Sequence, residues 1–555
     1  MTLAALARAA WPFVISYFRS FDRKVAIALL AAGTVAVVTG PIAQTYVNKQ
    51  GGAMITALST RNAALLYHEV GVFAVILAVF VPIGIAQQYL PDLLQNHWRR
   101  HLTHQFLGTY FTSRGYYRVA ERREVDNPDQ RISEDVSTFT GGIISLFNAL
   151  IGAVAGVFAP AIAIFRIDAT LLWTVVLYAA LGTAIGFVVF QSRLRRLNFA
   201  ALRRQADLRF GLIRVRDNAE SIAFYQGERD ESAGVRERLD SAIGVNLAIA
   251  RSQYFFLSAY SALLQNLPIV LPILVLGPRV LAKTMPVGTV LEVAGDVSLA
   301  VGSLTVLIGA LGSIGQLSAV IERLGTLRAA TAEKDEGPRI AVREAPALQL
   351  DGVTILTPDR SRELLADLSL SLDKGSRILV RGPSGSGKSS LLRAIARLWT
   401  AGSGTIQEPP LDQLFFLPQT PYIIQGSLRD QLSYPHPQPI DDDAALRSAL
   451  AAVDLEPLIE RAGGLDATYD FERVLSLGEQ QRIAFARLIL AKPLYALLDE
   501  ATSALDVGRQ RLLYRSLAGA TQSYLSVGHR PELLQFHDQV LDLCGDGRWT
   551  LAPIT

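Results

Sequence analysis

The sequence predicts a bundle of membrane-spanning helices fused to a water-soluble α/β domain with a phosphate-binding loop. Long apolar runs fill the chain as far as about Leu311 and then stop. Beyond them a short apolar run meets a glycine-rich loop and a helix-forming stretch at Gly382. Half of the 555 residues are hydrophobic, which a purely soluble protein of this size would not need.

Crossing about 30 Å of hydrocarbon at about 1.5 Å per residue takes about 20 apolar residues. Residues 25–46, 66–86, 142–164, 171–190 and 255–276 meet that requirement. Residues 287–311 form a sixth span, richer in Gly and Ser. Any one run could be a buried helix of a large soluble protein, but the first five carry almost no charge. Residues 1–20, with Arg8, Trp11, Tyr17 and Arg19, read as an interfacial helix ahead of the first span, without a cleavable leader. The expected organisation is this helix, a membrane domain over 21–328, a polar linker over 329–346 and a soluble domain over 347–555.

Two long polar stretches, 87–141 and 191–253, interrupt the spans. Both are rich in arginine, for example Arg99, Arg100, Arg118 and Arg123 in one, and Arg193, Arg203, Arg209 and Arg216 in the other. The positive-inside rule places both in the cytoplasm, together with the N-terminus and the soluble domain. Apolar residues at helical spacing, such as Phe106, Tyr110, Leu208 and Leu212, extend the spans into cytoplasmic rods. Net charge is only +3, so nucleic acid is not an expected partner. The single cysteine, Cys544, excludes an intrachain disulfide and suits a reducing compartment. Glu292 and Asp296 share one face of the sixth span. They line either a wet substrate cavity or a solvated outer helix end.

In the soluble half, residues 376–381 read as a strand that runs into Gly382-Pro383-Ser384-Gly385-Ser386-Gly387-Lys388-Ser389, with Ser390 next and a helix following. Glycines let backbone N–H groups wrap phosphates, and the helix N-terminus adds positive charge. Lys388 is expected to reach the β- and γ-phosphates and Ser389 to ligate magnesium. A second strand, 494–498, ends in Asp499 and Glu500, at the strand edge where α/β sheets bind ligands. Asp499 is expected in the magnesium shell, and Glu500 is expected to orient and deprotonate the attacking water.

Just upstream, Leu475-Ser476-Leu477-Gly478-Glu479-Gln480-Gln481-Arg482 resembles the signature of the ABC transporter ATPases. Pro418-Gln419 matches their Q-loop, Ser503-Ala504-Leu505-Asp506 their D-loop and Val527-Gly528-His529 their switch histidine. The resemblance implies that ATP is held by the phosphate loop of one subunit and by Ser476, Gly478, Glu479 and Asp506 of a second copy. It also gives Gln419 a place on the metal and His529 a place on the γ-phosphate. Two departures stand out. Leu477 and Glu479 replace the usual glycine and glutamine, and the stretch Ile355-Leu356-Thr357-Pro358 lacks the aromatic residue that often stacks on adenine. A carboxylate at 479 is expected to avoid the phosphates by bonding the ribose.

Over nearly the whole chain, elements such as Asp126-Asn127-Pro128 and Asn218-Ala219-Glu220 resemble the branch of peroxisomal fatty-acyl half-transporters and bacterial SbmA/BacA-type proteins. That implies an exporter-type membrane fold, an inner-membrane homodimer and ATP-driven uptake of hydrophilic or peptide-like compounds. Outward movement of a lipid or acyl compound, and an ATP-gated channel or membrane-anchored regulator, stay open as alternatives.

Overall fold

The computed structural model describes residues 3–20, 22–122, 125–186, 192–312, 314–332, 337–436 and 438–554. Arg123, the end of the fourth span beyond Gly186 and linker residues 333–336 lie outside the described residues. The chain divides into two units, Met1–Glu333 and Lys334–Thr555.

The first unit is helical: α1 (Leu3–Phe18), α2 (Arg23–Ser59), α3 (Ala63–Phe111), α4 (Gly115–Arg122), α5 (Pro128–Gln130) and α6 (Val136–Ile167). It continues with α7 (Ala169–Gly186), α8 (Ser192–Asp217), α9 (Ala219–Tyr225), α10 (Glu228–Ala250), α11 (Ala259–Leu281), α12 (Val287–Gly312) and α13 (Ile314–Ala332). Among the described residues four helical stretches are long and apolar enough to cross a membrane: α2, α3, the rod Pro128–Ile167 and Val287–Val306 of α12. Two shorter apolar segments, Ala169–Gly182 and Ile269–Leu281, fall in the expected fourth and fifth spans. α3 has 49 residues, so it outruns the hydrocarbon core and projects as a rod. Asn62 starts it by accepting a hydrogen bond from the Leu65 N–H at 3.1 Å.

The amphipathic α1 does not leave its apolar face to lipid. Leu6, Ala10, Phe13 and Tyr17 are buried in a cluster with Trp98 of α3, Phe139 of α6 and Leu324 of α13. Tyr17 stacks on Trp98 at 5.7 Å, and Arg328 of α13 lies 5.2 Å from the Phe13 ring. Trp11 stays exposed. At the other end of the bundle, α2 and α12 touch backbone to backbone. A Cβ on Gly288 would collide with the carbonyl oxygen of Gly52, so only glycine fits.

Among the described residues the second unit holds twelve strands: β1 (Ala341–Glu344), β2 (Leu348–Leu356), β3 (Glu363–Leu372), β4 (Arg377–Arg381), β5 (Gly402–Glu408), β6 (Leu414–Leu417), β7 (Gly426–Ser427), β8 (Thr468–Tyr469), β9 (Tyr495–Asp499), β10 (Ser523–Val527), β11 (Gln539–Leu543) and β12 (Trp549–Pro553). Its helices are α14 (Lys388–Ile395), α15 (Leu428–Ser433), α16 (Asp443–Ala452), α17 (Leu458–Ala462), α18 (Phe471–Val474), α19 (Leu477–Ala491) and α20 (Val507–Ala520). A six-stranded sheet runs β12-β11-β4-β10-β9-β6, parallel except for β12. A four-stranded sheet, β1-β5-β2-β3, stands beside it. β1 draws part of the stretch expected as linker into this sheet, and α13 stays helical through Ala332. The central strands are buried on both faces, as a covered parallel sheet requires. Their C-terminal ends form the edge where the site lies.

Candidate functional site

β4 delivers the chain into the glycine-rich loop. Gly382, Gly385 and Gly387 take φ of 151°, 78° and 97°, conformations that only glycine adopts at little cost. Gly387 then caps α14. Lys388 folds over this loop, its Nζ donating to the carbonyl oxygens of Gly382 and Pro383 at 2.9 Å each. Ser384 is exposed and Ser390 half-buried, whereas Ser386 is buried and its hydroxyl has no hydrogen-bond partner. The Ser389 hydroxyl donates to Asp499 Oδ1 at 3.2 Å, joining the start of α14 to the end of β9. Burial pushes the Asp499 carboxyl above its ordinary range. The Ser389 hydrogen bond pulls it back, the neighbouring Glu500 charge adds to the rise, and Arg393 and Lys388 oppose it.

Two further sequence-predicted residues meet at Glu500. Gln419 Nε2 donates to Glu500 Oε2 at 3.1 Å, and His529 Nε2 lies 3.2 Å from Glu500 Oε1. They come from the segment after β6, the end of β9 and the end of β10. The register Val527–Asp499 between β10 and β9 sets His529 beside Glu500. Glu500 has φ 47°, a strained conformation for a residue with a side chain, and its N–H is held by the Val527 carbonyl at 3.2 Å.

The signature residues open α19. Ser476 is the N-cap of α19 and forms a capping box with Glu479. Glu479 Oε2 accepts from the Ser476 N–H and hydroxyl at 2.9 Å each, and Arg461 pairs with Oε1 at 2.8 Å. Burial pushes this carboxyl up, but the Ser476 donors and Arg461 outweigh it and hold the group below its ordinary value. Within its own chain Glu479 is engaged by this cap and by Arg461. Leu477 sits at the first helical position with an exposed side chain and no positive φ, so the missing glycine costs no backbone strain. Gly478 is the constrained position. A Cβ there would lie 3.1 Å from Leu505 Cδ2 and 3.2 Å from the Ala504 carbonyl oxygen. Asp506 caps α20, accepting from the Arg509 N–H at 2.9 Å, and does not touch the Glu500 group.

No aromatic side chain stands at residues 355–358. Ile355 is buried within β2, Pro358 is exposed, and Trp399 donates to the Leu356 carbonyl at 2.7 Å.

In the membrane unit Asp296 is fully buried. Its Oδ1 accepts from Asn48 Nδ2 at 2.8 Å, and Asn48 Oδ1 in turn accepts from Gln44 Nε2 at 3.1 Å. Asp296 Oδ2 has no partner. Glu292 is half-buried one turn away. A cavity of about 380 Å³ lies deeper, lined by Val37, Pro41, Gln44, Gln87 and Ser303 among others, and neither carboxylate reaches it. The polar residues within otherwise apolar runs, Gln44 and Gln87, were the available signal for this cavity. Two residues given no role from the sequence also prove central: Gln481 is buried against the segments carrying Gln419 and Ser503, and Arg530 bonds the Ser503 and Leu505 carbonyls.

An apolar helical bundle joined to a sheet that gathers Lys388, Ser389, Asp499, Glu500 and His529 on one edge defines an ATP-hydrolysing membrane translocase. Comparison with known proteins agrees. Residues 16–281 match the family described as ABC transporter transmembrane region 2, and residues 365–503 match the ABC transporter family. An ABC transporter ATP-binding protein of Synechocystis is 40% identical over 518 residues, covering 90% of this chain and 77% of that protein. ABC transporter D family member 2 (chloroplastic) of Arabidopsis thaliana is 33% identical over 539 residues, covering 83% and 75%. The lysosomal cobalamin transporter of Homo sapiens is 31% identical over 514 residues, covering 84% and 83%. The chain belongs to the ABC transporters, as a half-transporter of the D-family branch with membrane and ATPase regions in one polypeptide.

Proposed function

We propose that the protein is a homodimer of the bacterial cytoplasmic membrane that hydrolyses ATP to take up a hydrophilic or peptide-like solute. The observation that carries the ATPase chemistry is the convergence of Gln419 and His529 on Glu500, next to the Ser389–Asp499 pair. ATP phosphates would lie on the backbone N–H groups of residues 382–390, with Lys388 turning from its loop carbonyls to the β- and γ-oxygens. Glu500 would accept the proton of the attacking water while His529 and Gln419 hold its carboxylate in place. Magnesium fits the oxygens present: Ser389, Asp499 and Gln419 are hard donors, and the raised Asp499 carboxyl would be relieved by a cation. Bound there, the ion would neutralise charge on the phosphates.

Uptake of a hydrophilic solute is supported by a relative whose name is that of a cobalamin transporter, and by the polar side chains of Gln44, Gln87 and Ser303 in the wall of an otherwise apolar cavity. The arginine-rich cytoplasmic stretches support an inward-facing ATPase. α9, between α8 and α10, presents Phe224 and Tyr225 at 78% and 86% exposure.

The test is uptake into vesicles that carry the purified chain with its ATPase domains facing outward or inward. ATP-dependent movement of cobalamin or peptide from the side opposite the ATPase supports the reading. Movement of acyl compounds instead, or passage of solute with a non-hydrolysable ATP analogue, replaces it with export or with a gated channel.

A further inference from the structure

We propose that Gln481 and Arg530 are positioning residues that lock the loop 503–506 to the Glu500 group, so that the hydrolytic residues and this loop move as one piece. The inference rests on the ATPase reading above.

Gln481 lies on α19, is 1% exposed and touches no part of the phosphate loop. A buried amide is costly unless its hydrogen bonds are made, so its bonds report its role. Its Nε2 donates to the Gln419 carbonyl at 3.0 Å and to the Ser503 hydroxyl at 3.2 Å, and its Oε1 accepts from the Ala504 N–H at 3.2 Å. One side chain therefore ties together two segments that also both bond Glu500. The Gln419 main chain is held by Gln481 while the Gln419 side chain holds Glu500.

Arg530 grips the same loop from the opposite side. It follows His529 directly, so any shift of its guanidinium is felt at the next residue along the chain. Its Nη1 donates to the Leu505 carbonyl at 2.6 Å and to Gln510 Oε1 at 3.0 Å, and its Nη2 donates to the Ser503 carbonyl at 2.9 Å. Gln481 thus takes the Ser503 hydroxyl and the Ala504 N–H, and Arg530 takes the carbonyls on either side of Ala504. The loop itself is a tight turn, with the Ser503 N–H on the Glu500 carbonyl at 3.0 Å and the Leu505 N–H on the Thr502 carbonyl at 3.2 Å. Gly478 packs directly on Ala504 and Leu505, so the start of α19 follows the loop as well. Hydrogen bonds that share one loop in this way, most of them part-buried, have few intermediate arrangements, which is what a unit that shifts as a whole requires.

The experiment uses the full-length protein in lipid nanodiscs and measures ATPase kcat and KM, equilibrium ATP binding and thermal stability for Q481A, S503A, R530A, R530K and the double variant Q481A/R530A. The expected result is a kcat loss of about tenfold for Q481A and R530A with ATP affinity within about threefold of wild type. R530K is expected to recover part of the loss, and the double variant to lose little more than the worse single, because both hold one element. S503A removes a single hydroxyl, keeps the fold, and is expected to lower kcat by about threefold. Wild-type kcat in S503A and in whichever of the larger variants folds overturns the inference alone. So do parallel losses of affinity, stability and kcat that multiply in the double variant. A wild-type protein that consumes no ATP overturns the inference together with the ATPase reading beneath it.

Discussion

The two units handle polar groups in opposite ways. At the ATPase edge, polar side chains from distant segments are paired with one another: the buried Gln481 bonds Gln419 and Ser503, Arg530 bonds Ser503 and Gln510, Arg461 pairs with Glu479, and Ser389 bonds Asp499. Within the apolar spans the contrast is sharp: the fully buried Asp296 accepts from Asn48, and among the described residues its second oxygen has no hydrogen-bond partner. A sheet brings the ends of many strands to one edge, so polar networks form there readily. Parallel helices in lipid meet along their sides, and close packing of glycines does the work instead.

The sharpest break in this contrast comes at Glu500. Glu500→Gln is expected to cut steady-state ATP hydrolysis by about 100-fold or more while ATP stays bound, read by turnover and nucleotide retention. Ordinary turnover in that variant would remove Glu500 as the base. Next, Gly288→Leu is expected to force α2 and α12 apart and lower the yield and melting temperature of the membrane-embedded protein, at a cost of about 1–3 kcal/mol or more. Normal stability would show that the contact is loose.

Glu479→Ala is expected to destabilise by about 1 kcal/mol, the size of a lost cap, with ATP affinity within about twofold. A large loss of affinity would restore a nucleotide contact for Glu479. Because its folded carboxyl lies below the ordinary value, this stabilisation is present above the unfolded value and fades as pH falls through the folded one. Denaturation followed from neutral to acidic pH, wild type against Glu479→Ala, should show the difference shrinking. The smallest effect is expected for Asp296→Asn, with ATPase activity within about twofold and stability unchanged or raised, since a neutral amide suits the bare site better. Combining it with Glu292→Gln and following uptake of a cationic solute tests whether either carboxylate meets substrate.

The ATPase edge was legible because its residues lie in contiguous motifs whose local geometry follows from residue type. Glycines at 382, 385 and 387 demand positive φ, and an acid after an apolar strand lands on the ligand edge. Glu479 was half legible. Ser476-Leu477-Gly478-Glu479 is a capping-box pattern, but only the structure shows that Arg461 completes it. Gln481 and Arg530 were not legible, since their partners lie 62 and 27 residues away, respectively, at the farthest. The burial of α1 was hidden for the same reason. Its amphipathic pattern states that one face seeks apolar surroundings, not that Trp98 and Phe139 rather than lipid supply them.

The length of α3 has a mechanical consequence. At about 1.5 Å per residue, its 49 residues span about 74 Å, so a tilt of about 5° displaces the far tip by about 6 Å. Pro82 and Pro91 within it each remove one backbone donor and soften the shaft locally. Where those weak points fall decides how much of a push at one tip is delivered to the other and how much is spent in bending.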